Sequence, residues 1–286
     1  MELQEINCVL LDKDGVLMNG NTVLPGAQEF VEQARKNSMP TTILSNTSRL
    51  TGQALARVIR EKIGVSDLKD EEVVTAVDVT MQYLREHPSR ERPEDVLLHV
   101  VGEDGFIEAM QDAGFAVAND QWKNGNWAVL PTDVVNGLDT HSTYEKLAPA
   151  WNAVRLGARL ISVNSDRSYR SASGAELPAA GAQLAYLATA KENGRPDIVL
   201  GKPNVEIAEV ALGRMHLSKT TARIAVIGDN LREDMGLATQ LNDAGWKAEG
   251  WMMLTGVTAK DQCNHAAISR VFMDLRETMK ALFSQR

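Results

Sequence analysis

Four short polar clusters hold the side chains of this sequence that are best suited to chemistry. In chain order they contain Asp12 and Asp14, Ser45 and Asn46, Lys202, and Asp229 with Asp234. Carboxylates that share one crevice repel each other unless a cation neutralises them. Oxygen ligands with no His or Cys nearby suit a hard cation, and Mg²⁺ fits best when a phosphate supplies further oxygens. A carboxylate can also act as the nucleophile that forms an aspartyl-phosphate.

Each cluster directly follows an apolar run that predicts a buried strand. The four runs are Ile6–Leu11, Thr41–Leu44, Asp197–Leu200 and Arg223–Ile227. Amphipathic segments that follow these runs predict helices, including one with Phe30, Val31 and Ala34 on one face and one from about Arg232 to Ala244. Repeated strand–loop–helix units predict a parallel, doubly wound α/β sheet. Loops that follow parallel strands share the carboxyl edge, where ligands bind, so we expect the four clusters to meet there.

The middle of the chain breaks this pattern. The stretch His87–Glu94 is charged and contains two prolines. A second series of predicted elements follows it, with strands at Val96–Val101, Trp127–Leu130, Val134–Leu138 and Arg159–Val163, and helices at Phe106–Ala113 and Tyr144–Leu156. We therefore predict a core formed by residues 1–72 and 197–286, with a second α/β domain inserted at 73–196.

Composition narrows the classes of partner. A formal net charge of -8 disfavours a general nucleic-acid or anionic-membrane surface, although a local metal and lysine can still attract an anionic small molecule. The two cysteines, Cys8 and Cys263, are far apart and do not suggest a disulfide scaffold. No segment approaches the roughly 18 apolar residues that span a bilayer. We expect a cytoplasmic location, with no nucleic-acid and no membrane partner.

The four motifs, in this order, resemble those of the haloacid dehalogenase superfamily of phosphatases. They read DKDGV, a Ser after the second strand, GKP and GDNLRED. The stretches VVNGLDTHSTYEKLAPA, GARLISVNSD and PAAGAQ resemble the NagD-like, or para-nitrophenylphosphatase-like, branch with its C2a cap. The resemblance extends from about Ile6 to Gly256. It implies a Rossmann-like catalytic core, a C2a-type cap that closes over the site, and Mg²⁺ as cofactor. It also implies hydrolysis of a small phosphorylated metabolite and a possible homodimer through the cap.

The resemblance also implies a role for each residue of the first three clusters. Asp12 is then the nucleophile and a Mg²⁺ ligand. Asp14 is the general acid and later the base, and its main-chain carbonyl binds the metal. Ser45 hydrogen-bonds the phosphoryl group with Asn46 beside it, and Lys202 neutralises the phosphate and the nucleophile. Asp14 favours phosphoester hydrolysis, because P-type ATPases and dehalogenases lack this second carboxylate.

For the fourth cluster and the inserted domain, the resemblance implies binding roles. Asp229 coordinates Mg²⁺ and Asp234 braces the metal ligands. Asp166 matches a family position in the substrate loop and is a candidate substrate contact. His141, after the Gly-Leu-Asp turn, is either a second substrate contact or a solvated loop residue. Asp139 is open to two interpretations, as a substrate contact or as the cap of the helix that begins near Tyr144.

Two departures from the branch leave other functions open. Thr47 stands where an amide is usual, and Glu233 stands where Thr is common. A catalytically weak ligand-binding or regulatory protein with the same fold is therefore an alternative hypothesis, as is a sugar-phosphate phosphotransferase.

Single residues of the motifs also have purely structural interpretations. Asp12 and Asp14 taken alone would fit a solvated turn, and Asp234 alone would fit a residue that interacts with a helix dipole.

Overall fold

The structure is a computed structural model that describes residues 6–119, 130–170 and 175–283. The chain divides into two compact units. The first unit comprises Met1–Ser45, Gly52–Val74 and Lys202–Arg286, and the second comprises Asn46–Thr51 and Thr75–Gly201. The strand predicted around Trp127–Leu130 lies, except for Leu130, outside the described residues.

A sheet with parallel strand pairs forms the centre of the first unit. Its strands, numbered along the whole chain, are β1 (Cys8–Asp12), β4 (Thr41–Ser45), β5 (Val73–Thr75), β13 (Ile224–Gly228), β14 (Ala248–Met253) and β15 (Arg270–Phe272). Among the described residues the strand order is β15-β14-β13-β1-β4-β5, and the pairs from β15 to β4 are parallel. A small antiparallel hairpin, β2 (Met18–Asn19) and β3 (Thr22–Val23), follows β1.

The burial of the two central strands indicates that helices cover both faces of the sheet. Every residue of β1 and of β13 is buried. Continuous burial of this kind is typical of parallel strands that have helices on both sides. The helices of this unit are α1 (Ala27–Lys36), α2 (Gly52–Ile63), α7 (Glu206–Arg214), α8 (Gly236–Asp243) and α9 (Leu275–Phe283). In α1 the predicted apolar stripe is buried, and the ring of Phe30 lies 6.3 Å from that of Phe283.

The second unit has its own parallel sheet. Its strands are β6 (Leu97–Val101), β7 (Ala116–Val117), β8 (Asp133–Asn136), β9 (Arg159–Ser162) and β12 (Ile198–Val199), in the order β12-β9-β8-β6-β7. Its helices among the described residues are α3 (Ala76–Glu86), α4 (Asp104–Asp112), α5 (Tyr144–Arg155) and α6 (Ala180–Ala188). A hairpin pairs β10 (Ser168–Arg170) with β11 (Glu176–Pro178). One apolar cluster, which includes Val134, Val154, Leu160 and Leu187, forms its core.

The parallel, doubly wound α/β architecture is confirmed, but one predicted core strand is wrong. The sequence pattern predicts that the run Asp197–Leu200 belongs to the core sheet, whereas β12 pairs with β9 at the edge of the second sheet, with Ile198 opposite Ile161. The Asp197 carboxylate accepts the Leu160 N–H at 2.7 Å, which holds the start of β12 beside β9. A short apolar run predicts a strand but not the sheet to which it belongs, because the pairing partner is distant in sequence.

Cys8 lies buried in β1, where burial raises the pKa of its thiol to about 12. It is therefore a core residue, as the surrounding apolar run predicts. The second cysteine, Cys263, is partly exposed, and both are free thiols. Within the part of the chain that the structure describes, no helix has both the length and the apolar character to cross a bilayer.

Candidate active site

A buried lysine joins two of the predicted carboxylates. The ammonium Nζ of Lys202 lies 2.5 Å from Oδ1 of Asp12 and 2.7 Å from Oδ1 of Asp234. Only 2% of Lys202 and 1% of Asp234 is exposed, and Asp12 is exposed by 8%. Each of these bonds is therefore a charge-assisted hydrogen bond with little access to water.

Asp229 completes a cluster of three carboxylates. One oxygen from each of Asp12, Asp229 and Asp234 lies within 4.8 Å of the others. The sheet register explains the approach of two of them. Leu11 in β1 is opposite Ile227 in β13, so Asp12 ends one strand beside the residues that follow the other. Both carboxylates thus lie at the carboxyl edge of neighbouring parallel strands.

Two glycines provide the space for these carboxylates. A Cβ on Gly228 would lie 2.1 Å from Cγ of Asp234, and a Cβ on Gly15 would lie 2.4 Å from Cγ of Asp229. Gly15 also has a φ of +73°, a backbone conformation that residues other than glycine rarely adopt. The Asp-Lys-Asp-Gly and Gly-Asp motifs therefore need their glycines for close packing against the acids.

The segment after β13 differs from the predicted continuous helix. A π-helical turn, Leu231–Met235, precedes α8. Asn230 begins this turn: its side-chain oxygen accepts the Arg232 N–H at 3.0 Å, and its own N–H donates to Oδ2 of Asp234 at 3.0 Å. Asp234 therefore uses one oxygen for the backbone and the other for Lys202. A wider turn is common where a functional side chain has to be re-aimed, and the apolar pattern alone does not reveal it.

Ser45 and Asp14 occupy different environments. Ser45 ends β4, is 1% exposed, and follows Leu44, which is opposite Asp12 in the neighbouring strand. The structure therefore brings Ser45 to the same edge as Asp12. Asp14 is not part of the carboxylate cluster: its side chain is 62% exposed and accepts a bond from the Lys13 ammonium at 2.5 Å.

Three of the candidate substrate residues, Asn46, His141 and Asp166, lie in the second unit, whereas Ser45 belongs to the first. The side-chain amide of Asn46 donates to Oδ1 of Asp166 at 3.0 Å, and the Asn46 carbonyl accepts a bond from the side-chain amide of Asn164 at 2.6 Å. His141 is exposed, and its N–H donates to Oδ1 of Asp139 at 2.8 Å. The structure thus brings Asn46 and Asp166 together.

Asp139 does not cap helix α5, so one of its two interpretations is wrong. Thr143 occupies the N-cap position and accepts the Lys146 N–H. The buried Asp139 carboxylate instead accepts the His141 N–H and the Lys146 ammonium, the latter at 2.9 Å. Both oxygens therefore serve to order the loop before the helix.

The two departures from the branch pattern have local partners. The Thr47 hydroxyl accepts the Arg49 N–H at 3.3 Å, within the short segment that follows β4. A carboxylate oxygen of Glu233 accepts a bond from the Asn230 side-chain amide at 3.0 Å. Glu233 therefore helps to order the turn that presents Asp234.

Burial controls the ionisation of the cluster. Burial raises the pKa of Asp229 to about 7, and the charge of Asp234 acts in the same direction. Burial also raises the pKa of Asp12 well above its ordinary value, although Lys202 opposes this. For Lys202, burial lowers the pKa, but the attraction of Asp12 and Asp234 outweighs burial and holds it well above its ordinary value. Among the described residues, the three carboxylates of Asp12, Asp229 and Asp234 therefore have a single ammonium, that of Lys202, close to them.

The donor set fits a hard divalent cation. The clustered ligand atoms are carboxylate oxygens, with no His or Cys among the three described residues that form the group. Oxygen-only sites of this kind suit Mg²⁺ or Mn²⁺. A single ammonium leaves the acids undercompensated, so a divalent cation would balance them.

Sequence reasoning missed the segment after β14. The N–H of Val257 donates to Oδ2 of Asp229 at 2.6 Å, and the N–H of Thr258 donates to the Asp229 carbonyl at 3.2 Å. Because β14 lies next to β13, this segment also follows a strand at the carboxyl edge. That placement was the available signal, but Thr, Gly and Val carry no recognisable chemistry of their own.

The site and fold define a class of hydrolase, and comparison with known proteins agrees. Residues 9–116 match the family described as haloacid dehalogenase-like hydrolase, and residues 199–278 match the family described as haloacid dehalogenase hydrolase-like. The chain is 32% identical over 260 residues to the ribonucleotide monophosphatase NagD of Escherichia coli (strain K12), covering 90% of each chain. The chain belongs to the haloacid dehalogenase-like hydrolase family.

Two further similarities bear on its branch. The chain is 32% identical over 220 residues to an acid sugar phosphatase of Staphylococcus haemolyticus, covering 77% of this chain and 76% of the relative. It also resembles the crystal structure of the glycerol phosphate phosphatase of Mycobacterium tuberculosis in complex with magnesium. That match has a TM-score of 0.77 and 25% identity, and covers 96% of this chain and 76% of the other.

The raised pKa of Asp229 predicts pH-dependent metal binding. A cation binds the ionised carboxylate, so below a pKa of about 7 it must displace a proton. The metal affinity should therefore fall as the pH falls below this pKa and stay constant above it. For one displaced proton we expect Mn²⁺ to bind about 10-fold more weakly at pH 6 than at pH 8. Electron paramagnetic resonance of free Mn²⁺ measures this, and equal affinities at both pH values would contradict it.

The buried ion pairs predict that Lys202 stabilises the fold as well as the site. Lys202→Met removes the ammonium and leaves Asp12 and Asp234 buried without it, so we expect the free energy of unfolding at pH 8 to fall by about 3–5 kcal/mol. The loss should shrink at pH 5, because burial raises the pKa values of Asp12 and Asp229, and protonation of these two acids relieves the repulsion within the cluster. Urea unfolding followed by circular dichroism measures both values.

Lys191→Met is the matched control, because Lys191 pairs with Asp197 near the surface. That substitution should cost less than about 1 kcal/mol. A loss for Lys202→Met that is no larger than this control, or that is independent of pH, would show that the buried pairs do not carry the stability assigned to them.

Proposed function

We propose that this chain is a Mg²⁺-dependent phosphatase that hydrolyses small phosphorylated metabolites through an aspartyl-phosphate on Asp12. As a member of its family, it is a phosphoric monoester hydrolase. The observation that carries the proposed mechanism is the Lys202 ammonium, held between Asp12 at 2.5 Å and Asp234 at 2.7 Å, with Asp229 in the same cluster.

In the first step, Asp12 attacks the phosphorus of the ester. A carboxylate oxygen forms the new O–P bond, and the bond to the leaving alcohol oxygen breaks. Lys202 stabilises the negative charge of the phosphoryl oxygens, and the Ser45 hydroxyl donates to one of them. Asn46 follows Ser45 directly and is proposed to contribute its amide to the same phosphoryl group.

Asp14 supplies and recovers the proton. In its protonated form it gives a proton to the leaving alcohol oxygen, and it then accepts a proton from the water that attacks phosphorus. The O–P bond to Asp12 breaks, phosphate leaves, and both carboxylates return to their starting states. Its exposed position fits exchange of protons with the substrate, but requires its bond to Lys13 to open.

Asp12 and Asp229, together with the Asp14 carbonyl, would hold Mg²⁺, and Asp234 would keep Lys202 and the turn of residues 231–235 in place. When bound, Mg²⁺ neutralises charge on the phosphate and on the clustered acids. The magnesium complex of the similar glycerol phosphate phosphatase supports this choice of cation.

The relatives support a small, polar substrate. Those compared above are named for ribonucleotide monophosphates, sugars and glycerol phosphate. We therefore propose a substrate of the sugar phosphate, phosphoglycolate, nucleoside monophosphate or pyridoxal phosphate class. His141 and Asp166 stay predictions as substrate contacts, and the bond between Asp166 and Asn46 supports a shared function. A screen of phosphorylated metabolites ranked by kcat/KM would identify the preferred class.

The remaining parts of the proposal concern the inserted domain and the setting of the enzyme. We propose that residues 73–196 act as a C2a-type cap and that the cap is a possible homodimer surface, as the family resemblance implies. The same proposal places the enzyme in the cytoplasm. Two alternatives, a catalytically weak binding or regulatory protein and a sugar-phosphate phosphotransferase, are separated from it by the tests below.

Asp12→Asn tests the nucleophile. The side-chain amide that this substitution introduces is too weak a nucleophile to form an acyl-phosphate. We therefore expect the rate of para-nitrophenyl phosphate hydrolysis to fall at least about 10³-fold in a variant that still folds. Phosphate release in saturating Mg²⁺ measures this. Asp67→Asn is the control, because Asp67 is 64% exposed and pairs only at the surface with Arg35.

Undiminished turnover in Asp12→Asn would refute the assigned nucleophile. Absence of turnover in the wild type across a broad metabolite panel would favour the binding or regulatory alternative. A phosphotransferase would pass the phosphoryl group to an added sugar and leave no ¹⁸O from labelled water in the phosphate.

Asp14→Asn tests the proton relay. The variant keeps the nucleophile but can neither protonate the alcohol nor activate the water, so both formation and breakdown of the phosphoenzyme should slow by about 10²–10⁴-fold. Rapid quenching with a ³²P-labelled substrate resolves the two steps. Substrates with very acidic leaving groups should lose less in the first step, and normal rates in both steps would remove Asp14 from the mechanism.

A further inference from the structure

The segment Thr255–Thr258, which follows β14, contacts both loops that carry the proposed metal ligands. The Thr255 hydroxyl donates to the Gly15 carbonyl at 2.5 Å, beside the loop that carries Asp12 and Asp14. At its other end, Thr258 bonds the loop that carries Asp229. All these residues belong to the first unit.

This segment makes two hydrogen bonds to Asp229 and a third to the turn that follows it. Its carboxylate oxygen Oδ2 accepts the Val257 N–H at 2.6 Å, and its carbonyl accepts the Thr258 N–H at 3.2 Å. The buried Thr258 hydroxyl accepts the N–H of Leu231, two residues after Asp229, at 3.2 Å. The bond to Val257 engages Oδ2 and leaves the other carboxylate oxygen for a cation.

The carboxylate also lies between two glycines. Gly15 approaches it on one side, and a Cβ on Gly256 would lie 1.7 Å from Oδ2. Real Cβ atoms essentially never come closer than 3.0 Å to another heavy atom. Gly256 has no left-handed φ, and the three heavy atoms nearest to its missing Cβ all belong to Asp229, so a side chain here would collide with that residue.

From this geometry we propose that the segment Thr255–Thr258 positions Asp229 for the metal, with Thr258 and Gly256 as positioning residues. This inference rests on the proposed function, because it assumes a divalent cation at the carboxylate cluster. The segment fixes which oxygen of Asp229 faces the cation, and it ties the Asp229 loop to Gly15. Groups that orient a metal ligand without touching the metal commonly change metal affinity about 10–100-fold when altered.

The test compares the Mn²⁺ dissociation constants of full-length variants, read from free Mn²⁺ by electron paramagnetic resonance. Thr258→Val removes the hydroxyl and keeps the backbone bonds, so we expect about 2- to 10-fold weaker binding, with Thr258→Ser restoring it. Gly256→Ala displaces the carboxylate, so we expect at least about 10-fold weaker binding. In steady-state assays Thr258→Val should raise the Mg²⁺ concentration for half-maximal rate more than it lowers kcat.

Two matched controls separate positioning from general stability. Thr278 is a fully buried threonine of the same unit whose hydroxyl donates to the Asp274 carbonyl, so Thr278→Val should lower Tm without changing Mn²⁺ affinity. Gly213 lies in α7 with no atom near its missing Cβ, so Gly213→Ala should fold and bind Mn²⁺ like the wild type.

The outcomes are distinguishable. Wild-type affinity in both Thr258→Val and Gly256→Ala would overturn the inference while leaving the proposed function in place. Weaker binding in Thr278→Val, to the same extent as in Thr258→Val, would also overturn it, because the effect would then follow stability. If the wild type itself binds no Mn²⁺, the proposed function fails and the inference with it. If Gly256→Ala does not fold, Thr258→Val and Thr258→Ser decide the matter.

Discussion

The site depends on one interaction, the pairing of the buried Lys202 ammonium with the carboxylates of Asp12 and Asp234. Taking one lysine and three carboxylates out of water is costly, and the cost is offset only when the charges lie close together and are hydrogen-bonded. One ammonium does not balance the three acids, and burial, together with the charge of Asp234, raises the pKa of Asp229. The divalent cation of the proposed mechanism would balance the remaining negative charge of the cluster.

The backbone around the acids explains how they come so close. Gly15, Gly228 and Gly256 each leave space that a single Cβ would fill, and Asn230 and Val257 direct backbone N–H groups at the carboxylates. The carboxylates consequently have few alternative positions. In the proposed mechanism, this order would reduce the reorganisation needed when charge develops on the phosphoryl group, and thereby lower the barrier.

Part of this arrangement is visible in the sequence because its causes are local. The buried runs before Asp12, Ser45 and Asp229 are long enough to identify strands, and parallel strands bring the residues after them to one edge. Other features depended on distant partners. The run before Lys202 pairs with β9 in the second sheet and not with the core, and the expected helix after Asp229 begins with a π-helical turn. Neither pairing nor turn width is encoded in apolar periodicity.

The sequence by itself determined the residue types of the site, their order, the doubly wound α/β class and the resemblance to a phosphatase family, because each is carried by short motifs and by local periodicity. The tertiary structure decided which oxygens are engaged. It separated Asp14, paired with Lys13, from the three clustered acids. It also showed that the segment Thr255–Thr258 hydrogen-bonds to Asp229, although its residue types indicate no chemical function. The physical reason is that hydrogen bonds and charge compensation act over a few ångströms in space, between residues that the chain keeps far apart.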